Sequence, residues 1–577
     1  MIPIRRTDEV ERYLIYSYLA QLKRPSGANA PFLVGPPGVG KSYVTASALV
    51  RLTNILATIY FDVLRSEGKD PKKVLPKLIK EAMPSGFRQK NEIDAIISVK
   101  LIQIFNEAEK IKKKEGNYYS ELYEDMEAIK TMAVKDEMIQ DLIASVPTII
   151  ARAVLAEYHY PGSTKGMVIK FDSKIPLWIY KGGAVYVSLN MGTVRPETLV
   201  GIPLFEKDHM KYLPPDWAVA LGTAKIGVLN LDEFANEVPE TILSASYELV
   251  LNKRAGNYTF GKPVTATGNT KKSSSLVIDL PGPLFSGRLE QILVEPPTVD
   301  SWIEFMNRNY GNNWPIVLGT LLNMFSKYGS MYREIIEAFE RMGDESILML
   351  FNEIRKKISQ PFSDPFYPDV REVAERSRIP PGDPNLGNYP SPRAWEHVSV
   401  EIWEYLKGTT PATKQMVAEN IRTALASLGM PIFANLADVI VDSFLKGSEE
   451  FLIPEDFLNI KPLADAIEKF FNEIRSGEDV SKPLSELVSV LTLKILQANA
   501  LVAKIARASL KEQREIAKKI EQFYNELEAA RMRGNINERI AAIIINSLIR
   551  LLPKMSETMS ILAFSECEEG TKCEHIA

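Results

Sequence analysis

The residues best suited to chemistry lie in a glycine-rich segment, GPPGVGKS, that runs from Gly35 to Ser42. Its spacing, G-x4-G-K-S, is that of a phosphate-binding loop, in which glycines let consecutive backbone N–H groups surround phosphate oxygens. The helix that follows would point its positive end at the same oxygens. Lys41 would place a charge on the β- and γ-phosphates, and the Ser42 hydroxyl would ligate Mg²⁺. The predicted phosphate-binding residues are Gly35, Pro37, Gly38, Val39, Gly40, Lys41, Ser42 and Tyr43.

Two adjacent carboxylates, Asp232 and Glu233, follow a mostly apolar run at 226–231 that predicts a strand. Ligands of open α/β sheets bind at the carboxyl ends of strands, so both acids are predicted to face the phosphates. Asp232 would hold Mg²⁺, directly or through a water, and Glu233 would orient and polarise the attacking water. Such a pair more often starts a helix, where acids interact favourably with the helix dipole. The phosphate loop elsewhere in the chain favours the catalytic role.

A third polar strand end is Asn269, which follows the strand predicted at 262–266. Its amide could hold the lytic water or an oxygen of the γ-phosphate from the neighbouring strand. Taken alone, asparagine after glycine is usually a turn residue. Together with the loop and the two acids, we predict a catalytic role for Asn269.

The spacing of apolar side chains indicates which elements would position these residues. Helical spacing is present at 8–24, from 43 onward, at 239–251 and over a long charged region at about 61–160. Strand-like segments lie at 31–34, 167–171, 177–180, 184–189, 226–231 and 262–266. This alternation predicts a parallel sheet with helices on both faces, and it favours a phosphate loop over a Gly-Pro turn with a solvated lysine. Phe205 and Tyr212, which lie between two prolines, could contact a client, but packing in a core or turn is the favoured interpretation.

In this order the parts resemble the AAA+ ATPases, and specifically their MoxR-like branch. The resemblance is carried by the glycine loop, the Asp-Glu strand end, Asn269, LPGPLFSGRL at 280–289 and YPSPRAW at 389–395. It implies that Arg288, which matches with one extra residue of spacing, acts in trans on the γ-phosphate of the neighbouring subunit. It also implies that Arg393, in the Ser-Pro-Arg element of the second sensor, reaches the nucleotide from a helical lid. Without the motif order, a single arginine is best interpreted as a solvated surface residue.

The resemblance covers less than half of the chain, at about residues 28–50, 184–297 and 385–445. It implies an α/β P-loop NTPase (AAA+) core at 1–297 with a large helical insertion at about 61–160, a helical lid with the second sensor at 298–455, and an all-α C-terminal domain at 456–577. The insertion is a departure, because the family usually separates the loop from the acidic strand by far fewer residues.

The function implied by the resemblance is hydrolysis of ATP, with Mg²⁺, by a homohexameric ring that remodels a protein partner. That partner would be a client, or an adaptor with a von Willebrand factor A domain. Two other functions remain open. The first is a nucleic-acid translocase or restriction-type motor on the same core, and the second is a nucleotide-gated scaffold that binds ATP without hydrolysing it.

Composition weighs on these alternatives. The 69 basic and 73 acidic residues leave a formal charge of −4, so no global basic field would hold the chain on nucleic acid. Only two cysteines occur, and the N-terminus lacks the apolar core of a secretory signal, which favours the cytoplasm. The apolar stretch at 540–549 is too short to cross a membrane, which needs about 20 residues, so no membrane span is expected.

Overall fold

The structure, a computed structural model, divides into two compact units. The residues it describes are 4–25, 28–88, 91–159, 167–171, 175–179, 183–206, 209–234, 238–269, 288–319, 322, 391–428, 437–446, 461–476 and the single positions 490, 525, 529, 532, 537, 538, 541 and 542. Unit 1 comprises Met1–Pro297 and Val370–Pro381, and unit 2 comprises Thr298–Asp369 and Gly382–Ala577.

Unit 1 is built on a parallel sheet. Its strands, in chain order, are β1 (Ile4–Arg6), β2 (Ala30–Val34), β3 (Met167–Phe171), β4 (Ile175–Ile179), β5 (Val185–Asn190), β6 (Ile202–Glu206), β7 (His209–Leu213), β8 (Gly227–Asp232), β9 (Arg254–Ala255), β10 (Tyr258–Thr259), β11 (Val264–Gly268) and β12 (Leu289–Glu295). Within the described residues, six of them form one sheet in the order β1-β12-β2-β11-β8-β5, with every neighbouring pair parallel. The predicted parallel sheet is therefore confirmed. Strand β2 is buried at every position, which is typical of a parallel sheet covered by helices.

The remaining strands pair as short antiparallel hairpins, β3 with β4, β6 with β7, and β9 with β10. The strands predicted at 167–171 and 177–180 are therefore not part of the parallel sheet. Their pairing follows from the connection: only residues 172–174 separate Phe171 from Ile175, whereas a parallel pair needs a crossover of a dozen or more residues. The apolar pattern identifies a strand but not its partner.

Helices surround the sheet. In unit 1 they are α1 (Thr7–Lys23), α2 (Lys41–Ser66), α3 (Pro71–Ala82), α4 (Asn91–Lys113), α5 (Gly116–Ala133), α6 (Glu137–Ala144), α7 (Val146–His159), α8 (Pro196–Val200), α9 (Asp216–Thr223) and α10 (Glu240–Leu251). Helix α2 follows the glycine loop and packs against α1, α4, α5, α6, α7 and strand β8. The region predicted as a helical insertion thus contains the end of α2 and helices α3 to α7. Because α2 continues to Ser66, the helical layer that follows it begins at Pro71.

A buried ion-pair network joins α2 to this helical layer. The side chain of Arg51 in α2 is 1% exposed, and its guanidinium lies 3.3 Å from carboxylate oxygens of Glu11 in α1 and Asp125 in α5. Glu121 of α5 lies 3.2 Å away, and Arg12 of α1 pairs with Asp125 at 2.7 Å. A buried charge is tolerated only when it is paired, so loss of one partner would strongly destabilise the packing. The network therefore holds α1, α2 and α5 in one arrangement.

Helix α2 also has the length and apolar character of a membrane span, and 83% of its most apolar window is buried inside the protein. Among the described residues, α6 and the adjoining helix up to Tyr158 would qualify only as one span bent by 43°. A central helix buried in a folded domain has the same length and composition as a span.

Unit 2 is helical in its described parts. Its helices are α11 (Val299–Tyr310), α12 (Pro392–Lys407), α13 (Lys414–Ala426), α14 (Ala437–Lys446) and α15 (Lys461–Ser476). Helix α12 begins at the Ser-Pro-Arg element, where the Ser391 hydroxyl accepts a hydrogen bond from the N–H of Ala394 at 3.2 Å and Pro392 occupies the first turn. Trp302 of α11 donates to the Pro392 carbonyl oxygen at 3.2 Å. The segment 280–287, and most of the predicted C-terminal domain beyond Ser476, lie outside the described residues.

One lysine side chain is fully buried in the core of unit 1. Lys253, just after α10, is 0% exposed, and its Nζ donates to the carbonyl oxygen of Val250 at 2.6 Å. Burial lowers the pKa of Lys253 to about 7, because the charged ammonium is poorly solvated there. Among the described residues this lysine forms no ion pair.

This burial predicts a pH-dependent stability. Between about pH 7 and 10.5 the unfolded chain holds a proton on Lys253 that the native chain does not, so the free energy of unfolding rises with pH across this window. The slope from this group is at most about 1.4 kcal/mol per pH unit. Lys253→Met should therefore raise the melting temperature more at pH 7 than at pH 9.5, as measured by thermal denaturation. Lys211→Met, at an exposed position, is the control, and an equal shift at both pH values for Lys253→Met would contradict the prediction.

Candidate functional site

The glycine loop, residues 35–42, connects β2 to α2. Two of its glycines have positive φ, Gly38 at 81° and Gly40 at 96°, a conformation that residues with a side chain rarely adopt. At Gly35 a Cβ atom would lie 2.5 Å from the carbonyl oxygen of Val294 in β12, so only glycine fits there. The backbone of the loop therefore requires glycine at these positions.

The loop presents backbone donors. The N–H groups of Gly38, Val39 and Gly40 donate no hydrogen bond to a described residue, although Val39 is 1% exposed. Buried N–H groups in folded proteins are almost always paired, so the N–H of Val39 in particular calls for a partner. Thr7 holds the loop in place, since its hydroxyl reaches the carbonyl oxygens of Val39 at 3.1 Å and Glu295 at 2.8 Å. The loop and the N-terminus of α2 together form a site suited to an anion.

Lys41 lies at the start of α2 and is 8% exposed. Its Nζ donates to the carbonyl oxygens of Gly35 at 2.9 Å and Pro36 at 2.7 Å, and to Oδ1 of Asn269 at 3.2 Å. These three acceptors carry no net charge, whereas a phosphate oxygen would make a stronger, charge-assisted hydrogen bond with the ammonium. The ammonium is thus already positioned at the loop.

Ser42 and Asp232, the predicted Mg²⁺ ligands, are in direct contact. The Ser42 hydroxyl donates to Oδ1 of Asp232 at 2.9 Å. Thr267 of β11 donates to the same oxygen, and the N–H of Glu233 lies 3.2 Å from it. The contact with Thr267 follows from the register of β8 and β11. Ala266 is paired with Leu231, so the next residues along the two strands, Thr267 and Asp232, lie side by side.

Glu233 lies at the same edge, in an unusual backbone conformation. Its φ is 54°, which is uncommon for a residue with a Cβ and is often found at functional sites. The exposed carboxylate accepts a 3.1 Å hydrogen bond from Nδ2 of Asn190, the last residue of β5. Oδ1 of Asn190 accepts from the N–H of Gly192 at 3.0 Å, which fixes the orientation of the amide. Asn190 therefore positions Glu233.

Asn269 follows β11, which lies between β2 and β8 in the sheet. The carboxyl ends of three adjacent strands thus bring together the loop with Lys41, the amide of Asn269, and the two acids Asp232 and Glu233. These predicted residues form one cluster at one edge of the sheet.

Arg288 lies at the opposite end of the strands, where β2 and β12 begin. It immediately precedes β12, its carbonyl oxygen accepts from the N–H of Ala30 at 2.8 Å, and its guanidinium lies 5.2 Å from the centroid of the Tyr247 ring. Strand β2 has five residues, which corresponds to about 16 Å at about 3.3 Å per residue. The length of this strand separates Arg288 from the glycine loop of its own chain.

Arg393 belongs to unit 2, where it is an exposed residue in the first turn of α12. Its approach to a nucleotide stays a prediction.

Two residues of the cluster, Asn190 and Thr267, are not among the site residues predicted from the sequence. Asn190 directly follows the strand predicted at 184–189, so the rule that identifies Asp232 and Asn269 could also have identified it. Thr267 has no such signal, because a threonine within a strand is ordinary. Only the register of β11 with β8 shows that it contacts Asp232.

The oxygen atoms at this edge fit Mg²⁺ held together with a triphosphate. Mg²⁺ is usually bound by one or two carboxylates, several waters and the phosphate oxygens of the substrate. Ser42 and Asp232 would supply a hydroxyl and a carboxylate. Elsewhere in the described part of the chain, as here, no group of three or more His, Cys, Asp or Glu side chains is placed to hold a metal ion by itself. The ion would therefore depend on the phosphates.

No family model, curated protein or solved structure matches this chain. The architecture itself shows the fold class, which is α/β. Six described strands form a parallel sheet surrounded by helices, and this arrangement is compatible with a nucleotide-binding core.

Proposed function

We propose that this protein is an AAA+ ATPase, similar to the MoxR-like branch, that hydrolyses ATP in the presence of Mg²⁺. The observation that carries the proposal is the cluster at one sheet edge, in which Lys41 donates to Asn269 and Ser42 donates to Asp232. Phosphoryl transfer asks the protein mainly for positioning and charge stabilisation. The cluster offers a cation, oxygen ligands for the metal, an amide and the Glu233 carboxylate for that purpose.

Each residue has a role that its position allows. The ammonium of Lys41 exchanges its carbonyl partners for β- and γ-phosphate oxygens, and the N–H groups of Gly38 and Gly40 donate to the same phosphates. Ser42 and Asp232 hold Mg²⁺, which neutralises charge on the phosphates when it is bound.

Water activation falls to Glu233. The Asn190 amide bonds Oε2 of its carboxylate, so the second oxygen, Oε1, can accept a proton from the attacking water. Asn269, at the middle strand, positions that water or a γ-phosphate oxygen. We therefore expect the hydrogen bond from Asn190 to orient the Glu233 carboxylate for this step.

Substitution of the loop and the acid should separate binding from hydrolysis. Glu233→Gln keeps the size of the side chain but removes the proton acceptor, so kcat should fall by about 10²- to 10⁴-fold while ATP still binds. Lys41→Met should instead weaken ATP binding. Phosphate release and fluorescent-nucleotide binding measure the two effects, with Glu197→Gln, at an exposed position of α8, as the control.

Unchanged turnover in Glu233→Gln would contradict the assignment of the water-activating residue. A wild-type chain that binds ATP but releases no phosphate would instead support the nucleotide-gated scaffold.

The location of Arg288 supports assembly into a ring. Because Arg288 is at the sheet edge opposite its own glycine loop, it can act on a γ-phosphate only in another subunit. The stacking on Tyr247 of α10 holds the guanidinium at that edge, and cation–π contacts of this kind are favourable for arginine. By resemblance the ring is a homohexamer.

A mixing experiment tests action in trans. Arg288→Ala should lower ATP hydrolysis by about 10³- to 10⁵-fold, the range found for arginine fingers. When Arg288→Ala is mixed with Lys41→Met, some interfaces pair an intact loop with an intact Arg288, so activity should return. Mass measurement by light scattering with ATP should give six copies of the chain. Mixtures that stay inactive, or a wild-type chain that stays monomeric with ATP, would contradict the ring.

The surface of unit 1 supports a protein partner. Phe205 is 85% exposed, so the expectation that it packs in a core or turn is wrong, while Tyr212 is half-buried. Phe205 belongs to the hairpin β6–β7, whose exposed large apolar residues are Ile202, Leu204, Phe205, Met210 and Leu213. Apolar side chains grouped on a surface mark sites of protein interaction. We propose that this hairpin contacts the client, or an adaptor with a von Willebrand factor A domain.

The hairpin favours a protein remodeller over a nucleic-acid motor, whose contact surface would be rich in lysine and arginine. The low cysteine content supports a cytoplasmic location for the activity. We propose that the chain has no membrane span, because α2, which has the length of one, is largely buried inside the protein.

Site-specific crosslinking tests the partner. A photoreactive phenylalanine analogue is placed at Phe205 and, as the control, at Val134, which is 74% exposed in the helical layer. In a lysate of the source cells with ATP, the first should give adducts with a protein that has a von Willebrand factor A domain, and the control should not. Adducts with nucleic acid would support the translocase, and adducts only with this chain would contradict a partner at the hairpin.

A further inference from the structure

Three cations of unit 1 come together at the edge of the sheet opposite the glycine loop. Lys225 precedes the start of β8 by two residues, and Lys262 precedes the start of β11 by two residues. Strands β8 and β11 are neighbours, with Val264 paired to Leu229, so Lys262 lies close to the level at which β8 begins. The strand register therefore places the two lysines close together.

Arg152 of α7 completes the group. Its Nη2 donates to the carbonyl oxygen of Thr223 at 2.7 Å, at the end of α9 and two residues before Lys225. Its Nη1 is buried and has no hydrogen-bond partner among the described residues. A buried donor on a charged group is costly when it stays unpaired. The guanidinium is thus fixed on one side and, within the described part of the chain, has no partner for Nη1 on the other.

The charges of this group are close enough to affect one another. The pKa of Lys262 is lowered, first by burial and then by the positive charges of Arg152 and Lys225. Within the part of the chain that the structure describes, none of the three forms an ion pair with a carboxylate. Like charges without a counter-ion repel and destabilise the folded state. An anion bound between them would remove this cost.

We propose that Arg152, Lys225 and Lys262 form a second anion site, which binds a phosphate group and is separate from the glycine loop. Arginine binds phosphate oxygens through paired N–H groups, and the unpaired Nη1 supplies one such donor. Phosphate matches the three cations better than a carboxylate does, because it carries up to two negative charges at neutral pH and has more acceptor oxygens.

The two sites are too far apart to share one ligand. Strand β8 has six residues, which corresponds to about 20 Å at about 3.3 Å per residue, and it separates the lysine edge from Asp232. The phosphate at the second site is therefore another molecule, either inorganic phosphate or the terminal phosphate of a second nucleotide.

Titration of inorganic phosphate tests this site. The protein is Lys41→Met, so that binding at the glycine loop is weakened, and ionic strength is kept constant with NaCl. Calorimetry should detect one phosphate site, and its affinity should fall by about tenfold or more when Lys225→Met or Lys262→Met is added, since a hydrogen bond to a charged group contributes about this much. Added Lys211→Met, an exposed lysine outside the group, should leave the affinity unchanged. Lys225 is exposed, so its substitution should not affect folding.

A second readout comes from stability. Without phosphate, Lys262→Met should raise the melting temperature, because it removes the repulsion from Arg152 and Lys225. ADP titrated in the same way distinguishes the two sources: tighter binding than phosphate assigns the site to a nucleotide, and equal or weaker binding assigns it to inorganic phosphate. No phosphate binding in Lys41→Met, or an affinity that neither Lys225→Met nor Lys262→Met changes, would overturn the proposal.

Discussion

The carboxyl ends of β2, β11 and β8 meet at one edge of the parallel sheet, and the position of the Lys41 ammonium depends on this register. A slip of one residue in any of these strands would turn its side chains to the other face. The contact of Thr267 with Asp232 and that of Lys41 with Asn269 would then be lost. The geometry of the site therefore depends on the register of these three strands.

A buried polar row supports that pairing. Asn230 of β8 is 0% exposed, donates to Ser188 of β5 at 3.3 Å and accepts from Thr265 of β11 at 3.1 Å. A buried amide that lost both partners would be unsatisfied, so a slipped register is penalised. Tyr186 of β5 bonds the hydroxyl of Thr45 at 2.7 Å, which ties α2 to the same sheet. Through Arg51, that helix is also tied to the helical layer, so the layer packs directly on the helix that begins at Lys41.

The sequence predicts those parts of the fold and site that depend on local pattern. The glycine loop, the apolar run before Asp232 and the helix after residue 239 each carry their signal within a few residues. Pairing between residues far apart in the chain leaves no such local signal. Strands β3 and β4 have the composition of strands of the parallel sheet but pair with each other. Thr267 becomes part of the site only through the register of β11 with β8. Phe205 shows a further limit, because an apolar residue between turns is usually buried, and here a short hairpin places it at the surface.

Binding of ATP at the glycine loop is tested most directly by a structure of Glu233→Gln determined with ATP and Mg²⁺. We expect a triphosphate on the glycine loop, with Lys41 Nζ bonded to its β- and γ-phosphate oxygens in place of the Gly35 and Pro36 carbonyls. The metal would lie beside Ser42 and Asp232. A loop without nucleotide, with Lys41 still bonded to the Gly35 and Pro36 carbonyls, would show that this loop is not an ATP site.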